Sequence, residues 1–91
     1  MYEVTLYSKT RCPGCDATKR MFGIKGIPYN EINITEDPEA HAELVTRGVA
    51  SVPAVKVQDA QAREIMFWSG LRPDMIEQLD SQLQTTEGTN E

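Results

Sequence analysis

Along residues 2–7 apolar and polar positions alternate, with Tyr2, Val4 and Leu6 on one side and Glu3 and Thr5 on the other. A period of two predicts a half-buried strand. After a short polar loop at 8–11 the period lengthens. Ala17, Met21 and Ile24 recur at helical spacing, while Lys19, Arg20 and Lys25 fall on other faces. Pro13 suits the first helical position, where its missing N–H would be unpaired in any case. Gly26 suits the end of that helix.

Residues 28–34 alternate again, with Ile32 and Ile34 opposite Glu31 and Asn33. Asp37 then reads as a cap and Pro38 as the first residue of a second helix. Its apolar side is Ala40, Leu44 and Val45, and Gly48 ends it. Residues 52–57 form a third strand. Residues 64–68 form a fourth, apolar on both faces and therefore expected to be covered on both. The short segment between them fits a hairpin. Pro73 opens a last helix through Met75, Ile76, Leu79 and Leu83, and a polar tail is expected from Thr85. The order is β-α-β-α-β-β-α. A strand–helix–strand unit gives parallel neighbours through a right-handed crossover, and the hairpin adds antiparallel ones. The simplest solution is an α/β fold: a four-stranded mixed sheet flanked by three helices. One domain spans 1–84, followed by a polar tail at 85–91.

Composition narrows the function classes. A chain of 91 residues makes one domain, with no room for two. Apolar residues at 40% and charged residues at 25% are ordinary for a soluble globule. No apolar run approaches the ~20 residues that cross a bilayer, and no secretory leader pattern is visible at the start. The expectation is a cytoplasmic protein beginning at Met1 and working as a monomer. A net charge of −5 repels nucleic acid and anionic membranes, so neither is an expected partner.

The chemistry points to Cys12 and Cys15, the two cysteines of the chain. A bridge between them would close so short a loop that it would constrain the unfolded chain little, which suits switching better than stapling. Cys12 stands where a loop enters a helix, and Cys15 lies one turn on, along the same face. Side chains three apart on a helix lie within roughly 5–6 Å, close to what a disulfide requires. Unpaired N–H groups and the dipole at a helix start favour an anion, and Lys9 and Arg11 add positive charge nearby. Cysteines in such settings have pKa values of roughly 3.5–7.5. Cys12 is then the nucleophile that attacks a partner's disulfide, and Cys15 is the resolving thiol. Three alternatives stand beside this one. The pair could be buried, reduced cysteines. It could belong to a zinc site, although four ligands are wanted and only distant His41 and carboxylates could complete the set. It could hold an iron–sulfur cluster shared between two chains. His41 is assigned no role.

The residues 7–15, Tyr-Ser-Lys-Thr-Arg-Cys-Pro-Gly-Cys, resemble the active-site loop of glutaredoxins in the thioredoxin superfamily. Ala17-Thr18-Lys19-Arg20 and the run Trp68-Ser69-Gly70-Leu71-Arg72-Pro73-Asp74 are similar to one branch, the NrdH-redoxins. That resemblance implies a glutaredoxin-like fold with thioredoxin-like behaviour. It implies electrons taken from NADPH through thioredoxin reductase and passed to class Ib ribonucleotide reductase, in support of deoxyribonucleotide synthesis. It implies no bound cofactor beyond a redox-active Cys12–Cys15 disulfide. It also implies a cis bond at Val52-Pro53 facing the cysteines, where the Val52 backbone is free to pair with an extended substrate peptide.

The expected partner-contacting residues are Lys9, Arg11, Pro13, Gly14, Val52, Pro53, Trp68, Ser69, Gly70 and Arg72. For Trp68, packing in an apolar strand competes with that role, and for Arg72 an ion pair with Asp74 does. The same superfamily includes glutathione-dependent glutaredoxins, which hold the tripeptide with a lysine before the first cysteine, a residue before the cis-proline and a Gly-Gly-x-Asp-Asp-like turn; Lys9 and Val52 are compatible with the first two, and the turn is not matched. Arg72 and Pro73 lack the carboxylate and N–H that such a turn supplies, so glutathione use is expected to be weak. Pro13-Gly14 departs from the Val-Gln or Met-Gln that NrdH-redoxins more often carry.

Overall fold

The structure, a computed structural model, describes residues 2–88. The element order is β1 (Glu3–Ser8), α1 (Pro13–Lys25), β2 (Asn30–Asn33), α2 (Pro38–Thr46), β3 (Ala54–Gln58), β4 (Glu64–Ser69) and α3 (Pro73–Gly88). The strands form one mixed sheet in the order β2-β1-β3-β4. β1 runs parallel to β2 and antiparallel to β3, and β4 is antiparallel to β3. The expected fold class and element order are therefore found.

Alternation along β1 divides the interior into two parts. Val4 and Leu6 point into the larger core with Phe22 of α1, Val55, Val57 and Trp68 of the sheet, and Ile76 and Leu79 of α3. Tyr7 points to the opposite face, where Ala54 meets Ala40 and Leu44 of α2.

Local chemistry sets the helix ends. The Asp37 carboxylate accepts the Ala40 N–H at 3.1 Å, capping α2 ahead of Pro38. Gly26 closes α1 with φ 69°, a left-handed conformation that suits a residue without a β-carbon.

Five expectations change. The buried stripe of α1 is Cys15, Thr18 and Phe22, and Ile24 is 78% exposed. Val45 likewise leaves the core side of α2 and is 60% exposed. β4 is an edge strand: Phe67 and Trp68 are held on opposite faces, but Ile65 stands 40% exposed. β3 starts at Ala54 rather than at residue 52, in keeping with a proline that has no N–H to give the ladder. The last helix continues to Gly88, past the expected start of the tail, and residues 89–91 lie outside the described residues. No described helix is long and apolar enough to cross a membrane.

Register brings three loops to one end of the sheet. Tyr7 at the end of β1 pairs with Ala54 at the start of β3, and Ala54 pairs with Ser69 at the end of β4. The segments before α1, before β3 and after β4 thus converge.

Candidate active site

Cys12 is the N-cap of α1, with Pro13 at the first helical position. Its Sγ accepts the Cys15 backbone N–H at 3.1 Å. A sulfur atom occupies the place where a serine or aspartate oxygen would usually cap a helix. Once reduced, a thiolate there gains from the same N–H and from the positive end of the helix dipole. Cys12 and Cys15 are joined as a disulfide with Cα atoms 5.2 Å apart. Both are buried, at 5% and 1% exposed, Cys12 being the less buried residue of the two. That asymmetry fits Cys12 as the attacking thiol and Cys15 as the resolving one.

The loop ahead of Cys12 is tied to the end of β2. The Ile34 N–H donates to the Ser8 carbonyl at 2.8 Å, and the Thr10 N–H reaches Thr35 Oγ1 at 3.4 Å. Arg11 has φ 60°, a left-handed conformation uncommon for a residue with a β-carbon. Beneath the loop, Ser8 Oγ donates to Glu31 Oε2 at 2.7 Å and Lys19 Nζ reaches the same oxygen at 3.1 Å. The Ser8 hydrogen bond holds the Glu31 carboxyl below its ordinary pKa; burial opposes this and Lys19 adds to it.

The other two loops close over the disulfide. The Val52-Pro53 bond is cis. The Val52 carbonyl oxygen lies 3.8 Å from Cys12 Sγ. Gly14 sits against Pro53: a β-carbon on Gly14 would stand 3.2 Å from Pro53 Cδ and 4.0 Å from Leu71 Cβ. The Gly70 N–H donates to the Pro53 carbonyl at 2.7 Å, with Gly70 at φ 89°. Arg72 and Asp74 pair through two hydrogen bonds of 3.0 and 2.9 Å. That pairing raises the Arg72 pKa and lowers that of Asp74.

Of the residues expected from sequence, Cys12, Cys15, Gly14, Val52, Pro53 and Gly70 come together. Pro13, Arg11 and Lys9 are exposed on the same rim, and Ser69 is exposed at the end of β4. Trp68 is not on that rim; it is 4% exposed within the larger core, and its Nε1 has no hydrogen-bond partner there. Arg72 is half exposed and turned to Asp74. Sequence reasoning missed Leu71, a 45% exposed apolar side chain beside Gly14; the signal was a leucine in an otherwise polar turn. It also missed a groove of about 300 Å³ lined by Lys9, Thr35, His41, Ser51 and Val52, among others. Among the described residues no group of three or more His, Cys, Asp or Glu side chains is placed to hold a metal ion.

The glutaredoxin family model matches residues 4–67. The glutaredoxin-like protein NrdH of Escherichia coli K12 is 37% identical over 76 residues, covering 84% of this chain and 86% of the relative. NrdH of Lactococcus lactis subsp. cremoris is 33% identical, covering 84% of this chain and 97% of the relative. Among solved structures, the Escherichia coli NrdH-redoxin superposes with a TM-score of 0.72 at 35% identity, over 85% of this chain and 93% of that one. That protein is described as glutaredoxin-like with a thioredoxin-like activity profile.

Proposed function

The chain belongs to the glutaredoxin family, among the NrdH-redoxins, and on that footing we propose that it carries electrons from thioredoxin reductase to class Ib ribonucleotide reductase in the cytoplasm. It is a thiol–disulfide oxidoreductase with a Cys12–Cys15 redox couple. The observation that supports the reading most is the capping sulfur of Cys12, bonded to Cys15 and set against the Val52 carbonyl.

The cycle follows from those atoms. In the reduced protein the Cys12 thiolate attacks one sulfur of the partner's disulfide. That S–S bond breaks, its other sulfur leaves and takes up a proton, and a mixed disulfide forms. Cys15 loses its proton and attacks Cys12 Sγ. The second partner thiol leaves, and the Cys12–Cys15 disulfide is made. Two electrons have passed to the partner, whose two thiols take one proton from Cys15 and one from solvent. Thioredoxin reductase, drawing on NADPH, returns the electrons by the reverse exchange. The Val52 backbone next to Cys12 offers a strand-like pairing edge for the partner peptide. Pro13, Gly14, Pro53, Ser69, Gly70 and Leu71 form the rim on which it lies.

Glutathione is a poor substrate on this reading. A free amino-acid end needs a carboxylate for its ammonium group and N–H donors for its own carboxylate. Pro73 has no N–H, and the Asp74 carboxylate is already engaged by Arg72.

The test is NADPH oxidation in the presence of the oxidised protein and a protein disulfide, with either thioredoxin reductase alone or glutathione plus glutathione reductase. Fast turnover only with thioredoxin reductase is expected. Fast turnover only through glutathione would replace this assignment with a glutathione-dependent one. In parallel, Cys15→Ser is expected to accumulate a mixed disulfide, visible by mass on a non-reducing gel, and Cys12→Ser is expected to form none.

A further inference from the structure

The chain has nine lysines and arginines, and six of them are paired with carboxylates within the fold: Lys19, Lys25, Arg47, Lys56, Arg63 and Arg72. Lys9, Arg11 and Arg20 enter no ion pair among the described residues. In a protein of net charge −5, where carboxylates outnumber cations, two of the three unpaired cations stand within three residues of the nucleophile. Arg11 holds its place at φ 60°, a conformation that a residue with a β-carbon adopts at a cost and that concentrates at functional sites. Lys9 lines the groove described above. Val52 lines the same groove, and its carbonyl lies 3.8 Å from Cys12 Sγ, so one residue borders both the groove and the attacking sulfur. Among the described residues no carboxylate lines it; the polar side chains there are Lys9, Thr35, His41 and Ser51. Its volume, about 300 Å³, is at the small end for ligand pockets and suits a short stretch of peptide.

We infer that this end of the molecule docks an acidic segment of the partner protein, its carboxylates beside the target cystine set against Lys9 and Arg11 and its chain lying along the groove. The inference rests on the disulfide-reducing role proposed above and names the chemistry of the partner. Cations at the rim of an interface act mainly on the encounter rate and on the choice of partner. Thiolate activation by Lys9 and Arg11 is a separate effect, because it would speed attack on every disulfide alike. Acidic docking instead speeds attack on one class of disulfide over another, and that ratio is the quantity to measure.

The reduced protein is mixed with two synthetic peptides that contain the same internal disulfide. One is flanked by Asp and Glu, the other by Asn and Gln. The acidic peptide is expected to react about fivefold faster or more at low salt, the scale of two exposed ion pairs. The ratio should fall towards one as added salt shortens the screening length. It should also fall towards one in the double variant Lys9→Gln/Arg11→Gln. Arg63→Gln, on the hairpin at the far end of the sheet, makes a charge change of the same sign and should keep the ratio. Equal rates for the two peptides, or a preference that survives loss of both cations, would overturn the inference while leaving the carrier role intact. Reduction of neither peptide would sink both. Oxidised glutathione, which also bears carboxylates, is the third substrate; if it reacts faster than the acidic peptide, the cations serve a small thiol and the inference fails.

Discussion

Glycine replaced by alanine at two positions should move stability in opposite directions. Gly23 is an exposed interior residue of α1, and a β-carbon built on it meets nothing within 4 Å. Alanine there adds helix propensity and removes freedom from the unfolded chain, a gain of about 0.5–1 kcal/mol. Gly70 has φ 89° and donates to the Pro53 carbonyl at 2.7 Å. A β-carbon there finds open space, so the penalty is in the backbone itself, about 1–2 kcal/mol for a left-handed residue. If the loop relaxes to escape that strain, it gives up the Pro53 bond, worth about 1 kcal/mol net. The two variants should therefore differ by about 1.5–3 kcal/mol. At roughly 4–8 °C per kcal/mol for a domain of this size, their melting temperatures should be separated by at least about 6 °C. Thermal unfolding by far-UV circular dichroism, with both proteins kept oxidised, measures the gap. Gly70→Ala should also slow disulfide reduction, since the loop it anchors borders Cys12, whereas Gly23→Ala should not. If Gly70→Ala melts with Gly23→Ala or above it, the reasoning from backbone conformation is wrong.

Other outcomes follow from the same contacts. Phe22→Ala removes a fully buried ring from the larger core and should cost about 3–5 kcal/mol in denaturant unfolding, a large part of the 5–15 kcal/mol a domain has. Trp68→Phe should cost only about 1–2 kcal/mol, because Nε1 has no hydrogen bond to lose, and should leave the reduction rate of a protein disulfide unchanged; a tenfold slower rate would return Trp68 to the partner surface. Glu31 has a folded pKa below its unfolded one, so its hydrogen bonds stabilise the fold above about pH 4.3, and that contribution is lost as pH falls through the folded value. Glu31→Gln should accordingly be less stable than the wild type near pH 7, and the two curves should converge in acid; parallel curves would show that the Ser8 and Lys19 contacts do not select the charged form.

Much of this architecture is legible in the sequence because its signals are local. Pro13, Pro38 and Pro73 each open the helix they were expected to open, and Asp37 caps as its residue type suggests. Alternation in β1 fixes both of its faces. The α1 stripe is not read from the pattern because Thr18, a hydroxyl residue, stands in it between Cys15 and Phe22. Thr18 is accepted in the interior because its hydroxyl donates to the Gly14 carbonyl at 2.9 Å. The exposure of Ile65 depends on β4 being the last strand of the sheet, which its own pattern does not encode. At the site, the cysteine pair is visible in the chain, since spacing alone brings its members together. Leu71 and the groove beside Lys9 are not, since they depend on three loops separated in sequence meeting at one end of the sheet.

The two sides of the sheet are unequally fastened. α1 and α3 share the larger core and are linked at the surface by Lys25 with Glu77 and Asp80. α2 buries only Ala40 and Leu44, and its far end is held by Arg47, which pairs with Glu64 and lies 3.8 Å over the Phe67 ring. Amide protons of β1 and β3, bonded on both flanks, should be the slowest in the molecule to exchange with deuterium, and those of α2 among the fastest. Val52 hangs between these two regimes. The link from α2 to β3 thus runs from the lightly fastened side of the sheet to the firmly fastened one, and the cis bond between Val52 and Pro53 marks the boundary, with Val52 beside Cys12 and Pro53 against Gly14.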